Sequence, residues 1–351
     1  MYAFLALLLV GLAAASPALL GSSARVESRN LDEIYHAALN ENGVLKVAWG
    51  GDVQTIGDQV TAAFTKRFPG IKLDLTVDLS KYLDSRIDRQ HQVTNGAEEF
   101  ADVAVLQTLQ NFGRWKSEGR LMPYKVSEWD DIYPEFVDQD GAYTGYNIFT
   151  FGQTVYNPQS LHTTVPTSYP DFLDPNLRGK IALTYPNDDD SILYLFTLIT
   201  KKYGWQFTRD LLKQDIRWTR GTATPSQIIA NNNEIAVSFA ASSPYVKGVS
   251  TQSSTDVYMA WPQTACIFSR TKMPESSKLF MNFLLSDEWQ SVFDGKFATR
   301  RKFDGQGIFK QSNVEPLGYG KFMSDRTTVE KWRFQFESFI GTPQGPDPLD
   351  T

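Results

Sequence analysis

Short apolar runs alternate with stretches of helical periodicity along the chain, and this alternation limits the fold more than any other feature. In the first third, strand-like and helix-like segments follow one another in order: 44–49, 56–64, 71–77, 82–92, 101–106 and a helix through 115. In the third segment, Ile71, Leu73, Leu75 and Val77 alternate with polar residues, which is typical of a strand. Such a βαβαβα series predicts a parallel sheet with helices on both faces.

The second half repeats this style. Strands are predicted at 180–184, 216–218 and 234–241, with helices at 192–203, 207–212 and 224–231. Two long, mostly apolar runs, 146–156 and 257–269, separate this half from the sequence on either side. A chain of 351 residues exceeds the size at which a single core stops growing, roughly 250–300 residues. We therefore expect two α/β lobes joined by two crossing segments.

These crossings set the predicted domain boundaries. Residues 44–150 together with 264–340 form the first lobe, and residues 151–263 form the second. We predict an amphipathic helix at 277–293, and we expect the aromatic-rich segment through Phe336 to pack back onto the first lobe. Residues 341–351 contain three prolines and are expected to form a loose tail.

Residues 1–16 have the pattern of a secretory signal peptide. An apolar core ends at Leu12, and the small residues Ala13 and Ala15 fit the rule for cleavage. Pro17 interrupts the apolar stretch before it reaches the roughly 20 residues that a membrane span needs. We expect an exported protein, secreted or periplasmic, with no membrane insertion.

Charge and cysteine content exclude further classes. The chain has 34 Lys and Arg against 40 Asp and Glu, a net charge of −6, and no basic block, so neither nucleic acid nor an anionic membrane is an expected partner. Cys266 is the only cysteine, which rules out an intrachain disulfide, and its apolar surroundings predict a buried side chain rather than a nucleophile. The sequence contains no Asn-x-Ser/Thr acceptor for N-linked sugar.

Three segments are distinctive in combination. Residues 101–105 read Ala-Asp-Val-Ala-Val, residues 171–183 read Asp-Phe-Leu-Asp-Pro-Asn-Leu-Arg-Gly-Lys-Ile-Ala-Leu, and residues 286–290 read Ser-Asp-Glu-Trp-Gln. They resemble, in turn, the ADV strand, the DLLDPKWKGKIA stretch and the SEEGQ helix of type II periplasmic and extracellular solute-binding proteins. The likeness covers about 44–309 and points to the iron(III)/phosphorylated-solute branch that serves ABC importers.

The resemblance implies a periplasmic-binding-protein-like type II fold, with two lobes of mixed sheets flanked by helices, a two-stranded hinge, and a ligand in the cleft. It implies a monomer whose partners are a small polar or anionic solute and an ABC importer permease. The ferric-binding members carry an adjacent Tyr-Tyr pair as metal ligands. No such dipeptide occurs here, since Tyr194 lies between two leucines, so we predict neither a metal site nor a cofactor.

In folds of this kind, ligands lie at the carboxyl ends of strands, against helix N-termini. The loops at those positions supply most candidate ligand-binding residues: Gly50, Gly51, Asp52, Gln107, Thr108, Asn187, Asp188, Ser191, Arg220, Thr222 and Ser242. Asn147 and Trp261 are added because they lie on the crossings. Ordinary roles stay open for several of them: a βα turn for the glycines, helix capping for Thr108 and for 187–191, and a solvated surface position for Arg220.

Most of these candidates are hydrogen-bond donors, which favours an anionic or hydroxyl-bearing ligand over a cation. Capture would need only closure about the hinge, for which 149–153 and 259–263 are the candidate segments. We find no G-x-S-x-G, H-E-x-x-H or P-loop motif, and the three histidines are scattered, so no catalytic residue is predicted. A hydrolase using Asp52 and Asp188, or an interaction protein with a vestigial cleft, are the alternatives.

Overall fold

The structure, a computed structural model, describes residues 24–242 and 246–350. The predicted signal peptide therefore lies outside the described residues. In the part of the chain that is described, no helix is long and apolar enough to cross a membrane.

Helices and strands alternate through most of the chain. The helices are α1 (Leu31–Ala38), α2 (Asp58–Arg67), α3 (Ser80–Val93), α4 (Gln110–Ser117), α5 (Asp190–Leu212), α6 (Thr224–Asn231), α7 (Pro274–Leu285), α8 (Asp287–Gln290), α9 (Gly318–Ser324) and α10 (Arg326–Ile340). The strands are β1 (Leu45–Gly50), β2 (Leu73–Asp78), β3 (Val103–Leu106), β4 (Thr144–Phe151), β5 (Thr154–Tyr156), β6 (Ala182–Thr184), β7 (Arg217–Thr219), β8 (Val237–Ser238), β9 (Ser250–Gln252), β10 (Tyr258–Ile267) and β11 (Val314–Glu315).

The first lobe is built on a mixed sheet in the order β11-β10-β3-β1-β2. β1 pairs in parallel with β2 and with β3, as the βαβαβα pattern predicts, and β10 joins β3 antiparallel. Phe64 of α2 packs against Phe280 and Phe283 of α7 with ring centroids 5.2 and 5.5 Å apart. These rings belong to the main core of the first lobe. Cys266 is buried in the sheet, as predicted.

The second lobe has a three-stranded sheet, β8-β5-β9, and a parallel pair, β6-β7. A bridge between Ile181 and Val237 connects the two. The long helix α5 buries Phe196 against Phe239, which in turn packs on Phe172. The two lobes therefore have separate sheets and separate cores.

β4 and β10 form the two crossings between the lobes. They pair antiparallel, with Met259 opposite Phe151 and Trp261 opposite Phe149. After Phe151 the chain turns at Gly152, whose φ of +109° is a conformation that side chains disfavour, and continues as β5 in the second lobe. The predicted two-lobed α/β fold is confirmed, and the hinge role of the two crossing strands stays a prediction.

The last helix, α10, packs on the second lobe, and the prediction that the aromatic-rich segment through Phe336 returns to the first lobe is wrong. Phe336 of α10 is fully buried and lies 5.4 Å from Phe196 of α5, between ring centroids. Trp332 stacks on Trp205 at 5.6 Å. The aromatic pattern of α10 could be recognised in the sequence, but the apolar surface that it matches belongs to α5, whereas the comparable face of the first lobe is already covered by α1 and α7.

Two further predictions need correction. The helix predicted at 277–293 ends at Leu285, because Ser286 leaves the helical region and its side chain caps the separate helix α8. The C-terminal segment is not loose. Pro348 is buried, and the carbonyl oxygen of Gly341 accepts a hydrogen bond from Asn187 at 2.9 Å.

Candidate functional site

A cavity of about 340 Å³ lies between the two lobes, beside the crossing strands. The loops after β1 and β3 and the first turn of α3 form its first-lobe wall. The start of α5 and the loops after β7 and β8 form its second-lobe wall. Strand ends from both lobes therefore face one common space. Nine of the predicted residues line it: Gly50, Gly51, Asp52, Gln107, Thr108, Asp188, Thr222, Ser242 and Trp261.

Gly50 and Gly51 allow the end of β1 to pass very close to its neighbours. A Cβ atom on Gly50 would lie 2.1 Å from Ser80 Oγ, and one on Gly51 would lie 2.7 Å from a methyl carbon of Ile56. Neither position has room for a side chain as the loop stands. Ser80 Oγ also accepts a hydrogen bond from the backbone N–H of Gln107 at 3.0 Å, which ties the ends of β1, α3 and β3 together.

Asp52 links the two lobes. Its Oδ2 accepts hydrogen bonds from the backbone N–H and the hydroxyl of Thr222 and from the N–H of Ala223 at 3.2 Å. Thr222 and Ala223 precede α6, whose N-cap residue Ala223 makes no side-chain capping bond. A carboxylate at a helix N-terminus satisfies free amides and meets a favourable dipole. Asp52 therefore takes the role of a cap from the opposite lobe.

Asp188 is the centre of a second link. Lys81 Nζ of α3 donates to its Oδ1 at 2.9 Å, and Arg220 Nε donates to its Oδ2 at 3.0 Å. Arg220 Nη2 also reaches the hydroxyl of Tyr82 at 3.2 Å. Burial opposes ionisation of Asp188, but the two cations outweigh it and lower its pKa. Arg220 is 19% exposed and doubly bonded, so it is not the solvated surface residue that the sequence left open.

Asp189 caps α5. Its Oδ1 accepts from the backbone N–H groups of Ser191 at 2.9 Å and Ile192 at 3.0 Å, and from the hydroxyl of Ser191. Its Oδ2 accepts from Gln107 Nε2 at 3.3 Å, across the cleft. Burial raises the pKa of Asp189. The capping role predicted for 187–191 is thus observed. The hydroxyl of Ser191 donates to the capping residue, Asp189.

Asp84 faces the cavity from α3. Its Oδ2 accepts from Asn111 Nδ2 at 2.7 Å, and its Oδ1 accepts from Ser85 Oγ at 3.2 Å. No Lys, Arg or His among the described residues forms an ion pair with it, and burial raises its pKa to about 6. Asp84 is therefore a cavity-lining carboxylate that accepts two hydrogen bonds and has no ion-pair partner among the described residues.

Aromatic rings form the floor of the cavity. Trp261 of β10 stacks on Phe149 of β4 with ring centroids 5.5 Å apart, and it meets Tyr319 of α9 edge-on at 5.6 Å. Trp261 is 2% exposed, and its Nε1–H has no hydrogen-bond partner among the described residues. An indole N–H can only donate, and an unpaired buried donor costs about 1–3 kcal/mol. The floor of the cavity therefore contains an unpaired buried donor.

Two arginines of α10 complete the wall beside α5. Arg326 Nη1 donates to Asp190 Oδ2 at 3.0 Å, and Arg333 Nη2 donates to Asp190 Oδ1 at 2.5 Å. Met323 of α9 contacts Arg326 through its sulfur at 3.5 Å. Sequence reasoning missed this wall because only tertiary packing brings the C-terminal helices to the cleft.

Four predicted residues lie behind the cavity wall: Asn147, Asn187, Ser191 and Arg220. Asn147 Oδ1 accepts from the N–H of Ile148 within the crossing strands, and Asn187 Nδ2 donates to Gly341. Protein partners therefore hold these side chains. Thr108 lines the cavity but does not cap α4, whose N-cap is Leu109.

The missed residues of α3 could have been found. Ser80, Lys81, Asp84 and Ser85 follow β2 directly, and β2 lies beside β1 in the sheet. The rule that selected the ends of β1 and β3 applies equally to β2, but the polar stretch after it was interpreted only as a helix.

The cavity wall is more acidic than the sequence suggested. It contains five carboxylates and three cations, namely Asp52, Asp84, Asp188, Asp189 and Asp190 against Lys81, Arg326 and Arg333. Each of these cations already pairs with a carboxylate of the wall. An anion would have to compete with those pairs, and the predicted preference for an anionic ligand stays a prediction.

The acidic residues do not form a metal cluster. Among the described residues, no group of three His, Cys, Asp or Glu side chains is arranged to hold a metal ion. The hydroxyl of Tyr194 donates to Glu315 Oε2 at 2.9 Å, and Tyr194 does not line the cavity.

A two-lobed α/β fold with a polar cavity between the lobes can be compared with known proteins. A family model described as "Bacterial extracellular solute-binding protein" matches residues 98–304, well over half of the chain. The chain belongs to this family. Membership in this solute-binding family confirms the resemblance seen in the sequence, and the family is extracellular, which agrees with the predicted export.

Solved structures of solute-binding proteins share the fold. Iron-bound HitA from Pseudomonas aeruginosa is 16% identical, with a TM-score of 0.62, over 84% of this chain and 99% of HitA. AfuA from Actinobacillus pleuropneumoniae, with fructose-6-phosphate bound, is 16% identical, with a TM-score of 0.64, over 84% and 99% of the two chains. An ABC-transporter substrate-binding protein from Agrobacterium tumefaciens is 13% identical, with a TM-score of 0.67, over 85% and 96%. None of the curated proteins that were searched matches this chain.

Proposed function

We propose that this solute-binding protein captures a small polar solute in the cavity between its lobes and delivers it to an ABC importer permease. The observation that carries the proposal is the set of polar contacts across the cavity, such as Asp52 with Thr222, Lys81 with Asp188, and Gln107 with Asp189. These partners meet only when the lobes are together. A solute that contacts both walls would favour the closed form through its greater affinity for it.

Two groups of the cavity suggest what the solute offers. Among the described residues, Trp261 Nε1–H has no acceptor, and Asp84 accepts hydrogen bonds but has no ion-pair partner. The cations of the wall are already paired, so a solute that carries both an acceptor and a donor fits better than a simple inorganic anion. We therefore favour a hydroxylated or amine-bearing solute, with or without a phosphate group.

The names of the structural neighbours define a panel. AfuA was solved with fructose-6-phosphate, and a Listeria monocytogenes neighbour is described as a putative spermidine/putrescine transporter. A Trichodesmium neighbour was solved with iron and citrate. Fructose-6-phosphate, fructose, spermidine, putrescine, citrate, iron with citrate, and inorganic phosphate together test phosphate, hydroxyl, amine, carboxylate and metal recognition.

Thermal unfolding of the purified protein with each compound tests the proposal. A true ligand at 100 times its Kd should stabilise the fold by about 2.7 kcal/mol. Trp261→Phe removes the N–H and keeps most of the ring, so it should reduce the shift. Phe149→Leu is the matched control on the floor, because it removes ring area but no donor. The proposal would be contradicted if none of the hydroxylated or amine compounds stabilised the protein. It would also be contradicted if inorganic phosphate were the only compound that did.

We also propose that the protein is not an enzyme. The hydrolase alternative uses Asp52 and Asp188 as an acid and a base. Asp52 accepts three hydrogen bonds from Thr222 and Ala223, and Asp188 holds two ion pairs that lower its pKa. A general acid of this type needs a raised pKa and access to the substrate. Asp188 does not meet that requirement because its pKa is lowered, and the Asp52 carboxylate is occupied by its three hydrogen bonds. Chromatographic recovery of unchanged fructose-6-phosphate after incubation would agree with binding alone.

A further inference from the structure

The chain beyond α10 contacts both lobes. α10 ends at Gly341, whose φ of +88° turns the chain away from the helix axis. The carbonyl oxygen of Gly341 accepts a hydrogen bond from Asn187 Nδ2 at 2.9 Å, in the loop before α5. We call residues 341–350 the C-terminal strap. Its first anchor lies on the second lobe.

A second anchor holds the strap to the same lobe. Pro348 is buried, and a Cβ atom built on Gly221 would lie 2.6 Å from both Cβ and Cγ of Pro348. The proline ring therefore occupies the space that any side chain at position 221 would need. Gly221 directly precedes Thr222, whose N–H and hydroxyl bind Asp52 of the first lobe.

The next residue of the strap contacts the first lobe. Gln54 Nε2 donates to the carbonyl oxygen of Leu349. Gln54 begins the short 3-10 helix that follows the cleft loop at Asp52. Two links between the lobes therefore lie side by side, one through Asp52 and Thr222 and one through Gln54 and Leu349. A groove of about 780 Å³ lies between the end of the strap, Asp347, Leu349 and Asp350, and the residues of β2 and α3.

We propose that the C-terminal strap is a latch that stays on the second lobe and holds the first lobe closed through Gln54. The strap continues directly from α10, which packs on α5 of the second lobe. Its two anchors, the contacts with Asn187 and Gly221, also lie on the second lobe. Rotation of the first lobe away from the second therefore breaks the contact at Gln54, while the strap contacts with Asn187 and Gly221 stay within the second lobe. The latch acts whether or not a solute is present, so it does not rest on the proposed function.

Hydrogen exchange of the ligand-free protein measures how often the two lobes separate. The amides of Thr222 and Ala223 donate to Asp52 across the cleft, so they exchange only when the lobes separate. A chain truncated after Gly341 should exchange these two amides about 3- to 10-fold faster, and Gln54→Leu, which removes one hydrogen bond, about 2- to 5-fold faster. Gln344→Ala is the matched control, since the side chain of Gln344 bonds only to Thr342 within the strap, and it should leave the rates unchanged.

The amide of Val105 in β3 serves as the internal reference for global unfolding. If the truncated chain exchanges Val105 faster as well, its fold is impaired and Gln54→Leu decides the question. Faster exchange of Thr222 and Ala223 in Gln54→Leu, with Val105 unchanged, supports the latch. Equal rates in Gln54→Leu and the unsubstituted protein overturn it.

Discussion

Lys81 of the first lobe donates to Asp188 of the second at 2.9 Å, so an ion pair spans the mouth of the cavity. Lys81 is partly exposed, and exposed pairs contribute about 0.2–1 kcal/mol, less at high salt. Lys81→Met should therefore shift the lobes only modestly toward the open form. Small-angle scattering should show a slightly larger radius of gyration, and the difference from the unsubstituted protein should shrink in 0.5 M salt. Lys213→Met, which removes a surface pair with Asp210, should change nothing.

Asp52 should matter more than Lys81, because hydrogen bonds to a charged group contribute about 1.5–3 kcal/mol. Asp52→Ala leaves the amides of Thr222 and Ala223 without their acceptor, and Asp52→Asn keeps one oxygen for them. We expect the affinity for the best solute of the panel to fall by 10-fold or more in Asp52→Ala and by less in Asp52→Asn. Calorimetric titration measures both, and equal affinity in all three proteins would show that Asp52 plays no part in closure.

Asp84 gives the protein a distinct dependence on pH. Burial raises its pKa to about 6 from an ordinary value of 3.8, so the folded state binds a proton more tightly than the unfolded state does. Its favourable contribution is fully present below about pH 4 and is lost as the pH rises through about 6. Asp84→Asn should remove this dependence of stability on pH and raise the free energy of unfolding at pH 7.5 by about 1–3 kcal/mol. Urea unfolding of both proteins between pH 4 and 7.5 measures the free energy of unfolding.

The same substitution should harm binding if the solute presents a donor to Asp84. A more stable protein with lower affinity would separate a binding role from a structural one. Asp74→Asn, at an exposed position of β2, is the control for a general charge effect. An unfolding curve for Asp84→Asn that keeps the original pH slope would contradict the assignment of the raised pKa to this side chain.

A substitution at Phe336 tests the packing of α10 on the second lobe. Phe336 is fully buried against Phe196 and Trp205, and a large-to-small change at such a site costs about 3–5 kcal/mol. Phe336→Ala should therefore lower the melting temperature strongly. It should also weaken solute binding, because α10 carries two arginines of the wall. Phe334→Ala, at a position that is 64% exposed, should change stability by less than about 1 kcal/mol.

The sequence predicted the fold well where local patterns decide it. Strict alternation from Ile71 to Val77 and the apolar run at 101–106 gave the parallel strands, and the strand-end rule placed Asp52 and Asp188 at the cleft. It could not place Tyr319 or Arg326, because their contacts with the cleft depend on which lobe the last helices cover. That choice is made by the fit of apolar surfaces, which no local pattern records.

The partners of the cleft residues were equally out of reach. Arg220 was predicted as a ligand-binding residue with a solvated surface position as the alternative, yet Asp188 and Tyr82 hold it. Ser191 was a plausible ligand donor, yet the adjacent Asp189 takes its hydroxyl. A sequence shows which polar groups are near a strand end, but not which of them already have a hydrogen-bond or ion-pair partner within the protein.

The packing of α10 on the second lobe also determines the order in which the molecule can be completed. The last strand of the first-lobe sheet ends at Glu315, whereas the second-lobe core includes Phe336. Since domains fold as units, the second lobe cannot complete its core until the final helix is present. The second lobe is therefore completed after the first lobe. A nascent or interrupted chain ending between these two points would carry one finished lobe and one with its aromatic interior open to water.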